Sequence, residues 1–125
     1  MVQVDISQLS GECNTWRAQL RQFRDEFNQD EVRLRQVAGQ PLSKEQLRDV
    51  EHLHNQFHIQ LINIHDLKQS IKNHDRKLVS ELQANDGQLS EDTVSEHEHL
   101  YEDYQQLEQT LRGLREEFDG FLKRS

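Results

Sequence analysis

Apolar residues return at alternating steps of three and four along almost the whole chain, a spacing that places them on one face of an α-helix. The pattern is most regular near the start, where two interleaved series repeat every seven residues: Ile6, Cys13, Leu20, Phe27 and Leu34, and Leu9, Trp16, Phe23, Asp30 and Val37. A heptad repeat of this length is typical of helices that pack along one another. We therefore predict a first helix over residues 6–38.

The longest stretch with this pattern covers residues 43–85 and contains neither Gly nor Pro. Ser43 and Gln46 have the spacing of a capping box at its start, and Asn85-Asp86-Gly87 supplies a usual helix stop at its end. The apolar positions between them are Leu47, Val50, Leu53, Phe57, Leu61, Ile64, Leu67, Ile71, Leu78 and Leu82. A continuous helix here is about 64 Å long at about 1.5 Å per residue, which suits an elongated bundle.

A third helix is predicted over residues 90–123, with Ser90 as its N-cap. Its seam consists of His97, Tyr104, Leu111 and Phe118, interleaved with Leu100, Leu107, Leu114 and Phe121. Short links at residues 39–42 and 86–89 make neighbouring helices antiparallel. The sequence thus predicts an all-α, elongated antiparallel (up-down-up) three-helix bundle with coiled-coil-like heptad packing, as a single domain over residues 1–125.

Charge and composition narrow the classes of function. The formal net charge is −8, and no Lys or Arg lies between Lys77 and Arg112. Such a chain repels phosphate backbones, so we expect no nucleic-acid partner. The single Cys13 favours a reducing compartment. No apolar run approaches the length of a membrane span, and the first residues do not resemble a signal peptide. We therefore expect a cytoplasmic protein without a membrane partner.

Motifs for catalysis or cofactor binding are missing from the sequence. It has no Gly-rich phosphate loop, no G-x-S-x-G and no CxxC, and Cys13 at a heptad position is expected to pack as a small hydrophobe. Two E-x-x-H spacings, at Glu51 and at Glu96, fall at opposite ends of antiparallel helices and do not form a di-iron site. The chain is predicted not to be an enzyme, with no cofactor and no metal ligand assigned.

Histidines on the second helix leave one alternative open. His54, His58 and His65 share one flank, and an i, i+4 pair of histidines can chelate a divalent cation. On a solvated helix such residues are more often ordinary polar surface. The alternative function is a small metal- or ligand-binding bundle that uses His and Glu side chains.

Polar residues within the heptad seams predict buried polar pairs. Asp75 and His97 lie at similar distances from the second turn, and Asp30 and His54 lie at similar distances from the first. Because buried charges must be paired, we expect Asp75 to contact His97 and Asp30 to contact His54, which would fix the register of the helices. A catalytic acid–base pair is the sharper alternative for these residues.

Ile59 and Ile62 point away from the main apolar stripe of the second helix and predict a contact face for a partner. The function expected from the sequence is that of a non-enzymatic helical bundle that acts through protein–protein interaction or self-association, with a homodimer as its simplest form.

Overall fold

Three long helices make up nearly all of the structure, a computed structural model that describes residues 2–3, 5–84 and 88–124. They are α1 (Ile6–Ala38), α2 (Lys44–Ala84) and α3 (Glu91–Arg124), and α2 packs against both α1 and α3. The predicted all-α three-helix bundle is confirmed. Helix α2 is continuous over 41 residues. Its predicted stop at Asn85-Asp86-Gly87 lies outside the described residues.

Side-chain caps explain where the helices begin. Ser43 Oγ accepts the N–H of Gln46 at 3.1 Å, and Gln46 Oε1 accepts the N–H of Ser43 at 2.9 Å, which completes the predicted capping box. Ser90 Oγ accepts the N–H of Thr93 at 3.2 Å at the start of α3. Helix α1 begins after Asp5, whose carboxylate accepts the N–H of Gln8 at 3.2 Å. The predicted N-caps Ser43 and Ser90 therefore satisfy free N–H groups of their helices.

A two-residue antiparallel ladder was not predicted. The strands β1 (Val2–Gln3) and β2 (Gln88–Leu89) pair with Val2 opposite Leu89. Since α1 and α3 start at the same end of the bundle, the segments that lead into them lie side by side and their backbone groups can pair. Leu89 is fully buried, so this ladder closes that end of the core.

Helix α2 packs against α1 along one flank and against α3 along another. His74 and Glu81, seven residues apart, turn towards α3, where they hydrogen-bond Glu96 and Thr93. Asp75 turns towards α1, where it accepts the hydroxyl of Ser10 at 2.7 Å. A central helix with two partners needs both flanks, because each covers a separate groove. Gln60 and His74 are the buried polar residues among the described residues of α2, and His74 lies on the flank that faces α3.

The gap between α1 and α3 is wider than the gaps between α2 and its two neighbours, and large side chains fill it. Trp16 stacks on Tyr101 and Tyr104, with ring centroids 5.7 and 5.9 Å apart, and Arg112 lies 5.5 Å from the ring centroid of Phe23. The gap is therefore bridged by rings and long side chains, and clefts remain between these bridges along its surface.

Candidate functional site

A buried group of titratable side chains joins the three helices at one level. Cys13 in α1, His74 in α2 and His97 in α3 are each less than a tenth exposed. Their ligand-type atoms, one sulfur and two ring nitrogens, all lie within 4.8 Å of one another. Glu12 and Glu96 contact the two histidines from the edges of the group. We call these five residues the histidine cluster.

Hydrogen bonds define the orientation of both imidazoles. His74 Nδ1 lies 2.8 Å from Glu96 Oε1, and His97 Nε2 lies 2.9 Å from Glu12 Oε1. The two remaining ring nitrogens, His74 Nε2 and His97 Nδ1, face each other at 3.0 Å. Because an ionised carboxylate only accepts hydrogen bonds, each outer nitrogen donates its N–H. In the neutral imidazoles both inner nitrogens are then acceptors that point at each other.

Burial sets the charge preferences in the cluster. Burial lowers the pKa of His74, and the hydrogen bond and charge of Glu96 oppose this only in part. Burial favours a raised pKa for Glu96, but its hydrogen bonds to His74 and Lys77 and their charges outweigh this and leave the pKa lowered. Glu96 is thus an ionised acceptor, while His74 resists taking a second proton.

The cysteine of the cluster is a protonated thiol. Burial raises the pKa of Cys13 to about 12, and the negative charges of Asp75 and Glu12 add to this shift. A thiol of this kind is not a nucleophile at neutral pH, because the thiolate is the reactive form. A cation bound beside the sulfur would favour the thiolate.

One surface cleft reaches the cluster from the gap between α1 and α3. It has a volume of about 340 Å³. Its lining residues include Leu9, Glu12, Trp16, Val94, His97 and Tyr101. The ring of Trp16 lies 4.9 Å from that of His97, centroid to centroid. The cleft therefore brings solvent close to His97 and leaves Cys13 and His74 covered.

The structure does not bring Asp75 and His97 together as the sequence predicted. Both ring nitrogens of His97 are taken by His74 and Glu12, while Asp75 binds Ser10 on the other flank of α2. The predicted contact is wrong by one residue on α2, since His74 occupies the place assigned to Asp75. A rotation of 100° per residue separates the flank that faces α3 from the one that faces α1.

The second predicted pair, Asp30 with His54, is also wrong. Asp30 is buried and receives two hydrogen bonds from the guanidinium of Arg115, at 2.9 and 3.2 Å. Arg115 also contacts Glu26. The side chain of His54 is exposed and lies 3.9 Å from Glu31. An arginine reaches across the wide gap from α3 to α1, which a count of residues from the first turn does not anticipate.

The predicted partner-contact residues Ile59 and Ile62 lie on the outer surface of α2, away from α1 and α3. They are 45% and 48% exposed. The exposed histidines His54 and His58 occupy the same half of α2, and His65 is also exposed. None of these three histidines belongs to the buried histidine cluster.

Sequence reasoning missed the cluster because it treated Cys13 as packing and did not consider His74. One signal was present. Cys13 lies seven residues after Ile6, the first residue of α1, and His97 lies six residues after Glu91, the first residue of α3. Because α1 and α3 are parallel, these two seam residues lie at one level.

Comparison with protein-family models, curated proteins and solved structures gives no match to this chain. Among the described residues, no helix is long and apolar enough to cross a membrane.

Proposed function

We propose that this chain is a non-enzymatic helical-bundle protein that acts through protein–protein contact, and that its first partner is a second copy of itself. The observation that carries the proposal is the pair of half-exposed isoleucines on α2. Ile59 and Ile62 lie one turn apart near the middle of α2, on the side opposite its buried seam. Neighbouring apolar residues on an outer helix face are a minimal helix-pairing surface.

A two-fold axis between Ile59 and Ile62 gives a self-complementary contact. In an antiparallel pair of α2 helices, Ile59 of one copy then meets Ile62 of the other. The same register places Glu45 opposite Arg76, because Glu45 lies 14 residues before Ile59 and Arg76 lies 14 residues after Ile62. Opposite charges at the two ends of the contact favour this register. Only two large apolar side chains per copy are buried, so the dimer is expected to be weak, with a Kd of roughly micromolar or above.

Sedimentation velocity over a range of protein concentrations tests the proposal. Ile59→Asp and Ile62→Asp should each shift the monomer–dimer equilibrium strongly towards monomer, because a charge would be buried at the centre of the contact. Val32→Asp is the matched control, since Val32 is 48% exposed but lies on α1. It adds the same charge and should leave association unchanged. A wild type that remains monomeric at every concentration would refute self-association.

The remaining expectations belong to the same proposal. The net charge of −8 supports the absence of a nucleic-acid partner. The single free, buried Cys13 supports a reducing location such as the cytoplasm. The raised pKa of Cys13 supports a non-enzymatic role, because a thiol that stays protonated in the metal-free chain does not act as a nucleophile there.

A further inference from the structure

We propose that Cys13, His74 and His97 bind one divalent transition-metal ion of the zinc type, with one ligand from each helix, and that Glu12 and Glu96 position the two imidazoles. This inference does not depend on self-association. It assigns a site to buried residues and not to the exposed histidines of α2 that the sequence suggested.

Distances support the site. In a tetrahedral zinc site the bound nitrogen and sulfur atoms lie roughly 3.3–3.8 Å from one another, as follows from Zn–N and Zn–S bonds of about 2.1 and 2.3 Å. The two inner ring nitrogens are 3.0 Å apart, and the three ligand atoms lie within 4.8 Å of one another. Adjustments of about 1 Å would bring them to bonding positions.

Hydrogen bonding provides the second, independent observation. Each histidine donates its outer N–H to a carboxylate, His74 to Glu96 and His97 to Glu12. Histidines that bind metals characteristically do this, because the carboxylate fixes the ring and leaves the other nitrogen free as a ligand. When both imidazoles are neutral, their inner nitrogens present two lone pairs to each other across 3.0 Å. One proton between the two nitrogens gives a hydrogen bond, whereas a metal ion would bond both nitrogens and also Cys13.

The donor set indicates the class of metal. One thiolate and two imidazoles suit Zn²⁺, Co²⁺ or copper, whereas Ca²⁺ and Mg²⁺ prefer oxygen ligands. On binding, the Cys13 thiol loses its proton to solvent and its sulfur forms the bond to the metal. Three protein ligands leave the fourth tetrahedral position to water or another small ligand.

The test is a Co²⁺ titration of the full chain after treatment with a chelator. We expect saturation at one Co²⁺ per chain, with a thiolate-to-cobalt charge-transfer band and the visible bands of a tetrahedral ion. Excess Zn²⁺ should remove these bands by displacement. A wild type without a charge-transfer band at saturating Co²⁺ would overturn the proposal, whatever the variants do.

Variants locate the site. Cys13→Ser should abolish the charge-transfer band, and Glu96→Gln should weaken binding by about 10- to 100-fold through loss of orientation of His74. Glu96 is the safer variant for folding, because its side chain is 43% exposed. His58→Gln, on the exposed flank of α2, is the matched control and should bind as the wild type does. Loss of binding in His58→Gln with retention in Cys13→Ser would place the metal on the surface and contradict the proposal.

Thermal unfolding distinguishes the proposed buried site from a metal site on the surface. An ion that joins all three helices binds the folded state alone, so Zn²⁺ at about 100 times its Kd should raise the Tm by on the order of 10 °C. The same Zn²⁺ should leave the Tm of Cys13→Ser nearly unchanged. An equal rise in both proteins would count against coordination by Cys13.

Discussion

Glu81 joins the last turn of α2 to the start of α3, and its replacement by Gln should cost stability in a pH-dependent way. Glu81 Oε1 accepts the backbone N–H of Ser90 at 3.0 Å, and Oε2 accepts the hydroxyl of Thr93. The Thr93 hydrogen bond, followed by those from Ser90, lowers the pKa of Glu81 below its ordinary value of 4.5, although burial opposes this. The carboxylate therefore acts as a cap for the first turn of α3.

The size of the expected loss of stability follows from the charge on the hydrogen-bond acceptor. Bonds to a charged acceptor contribute about 1.5–3 kcal/mol, and those to a neutral acceptor about 0.5–1.5 kcal/mol. A carboxamide keeps one acceptor and loses the charge, so Glu81→Gln should lower the free energy of unfolding at pH 7 by about 1–2 kcal/mol. Urea unfolding followed by circular dichroism measures this difference.

The pH dependence has a definite sign. Because folding lowers the pKa of Glu81, its stabilisation is fully present above the unfolded value of 4.5 and is lost as the pH falls through the lower folded value. The gap between wild type and Glu81→Gln should thus shrink below pH 4.5, since a protonated carboxyl resembles a carboxamide. Glu51→Gln, an exposed site on the same helix, should show little difference at any pH. A gap of constant size from neutral to acidic pH would refute the reasoning.

Three further substitutions test the packing of the bundle by the same urea assay. Arg115→Gln should cost about 2 kcal/mol, because it leaves the buried carboxylate of Asp30 without its guanidinium, and a cost no larger than that of Arg124→Gln would contradict this. Phe57→Ala should cost about 3–5 kcal/mol, since Phe57 is fully buried; a loss below 1 kcal/mol would contradict it. Gly113→Ala should stabilise by about 0.5–1 kcal/mol, because a Cβ there meets no neighbouring atom and Gly weakens helices, whereas a loss of stability would show an unseen constraint.

Local chemistry explains which parts of the fold the sequence predicted well. The signals that define the helices are local ones: a capping box, a stretch without Gly or Pro, and a heptad repeat. The starts of α2 at Lys44 and of α3 at Glu91 were therefore predicted to within one residue. The β1–β2 ladder escaped prediction because it depends on two segments far apart in sequence. It forms only where the bundle brings the starts of α1 and α3 together.

The predictions of the two buried polar pairs were wrong for a different reason. Residues 74 and 75 both lie beside the apolar stripe of α2, and a sequence gives no rotation angle fine enough to choose between them. The choice is made by packing, because α2 must face α1 and α3 at once. His74 therefore turns to α3 and Asp75 to α1. A central helix packs against two neighbours along two stripes of residues. A prediction that assumes a single stripe assigns the residues at its borders to the wrong neighbour.

Two buried polar groups in this core differ in a way that bears on function. The pair of Asp30 and Arg115 is complete in itself, since donors meet acceptors and the charges are opposite. It stabilises the parallel alignment of α1 and α3 without any other species. The histidine cluster is different, because its two inner ring nitrogens lie 3.0 Å apart beside a thiol and need a shared positive centre, either a proton or a metal ion. Apolar residues of similar volume often replace buried polar groups without loss of stability, and this is a further reason for the metal ion that we propose at this layer.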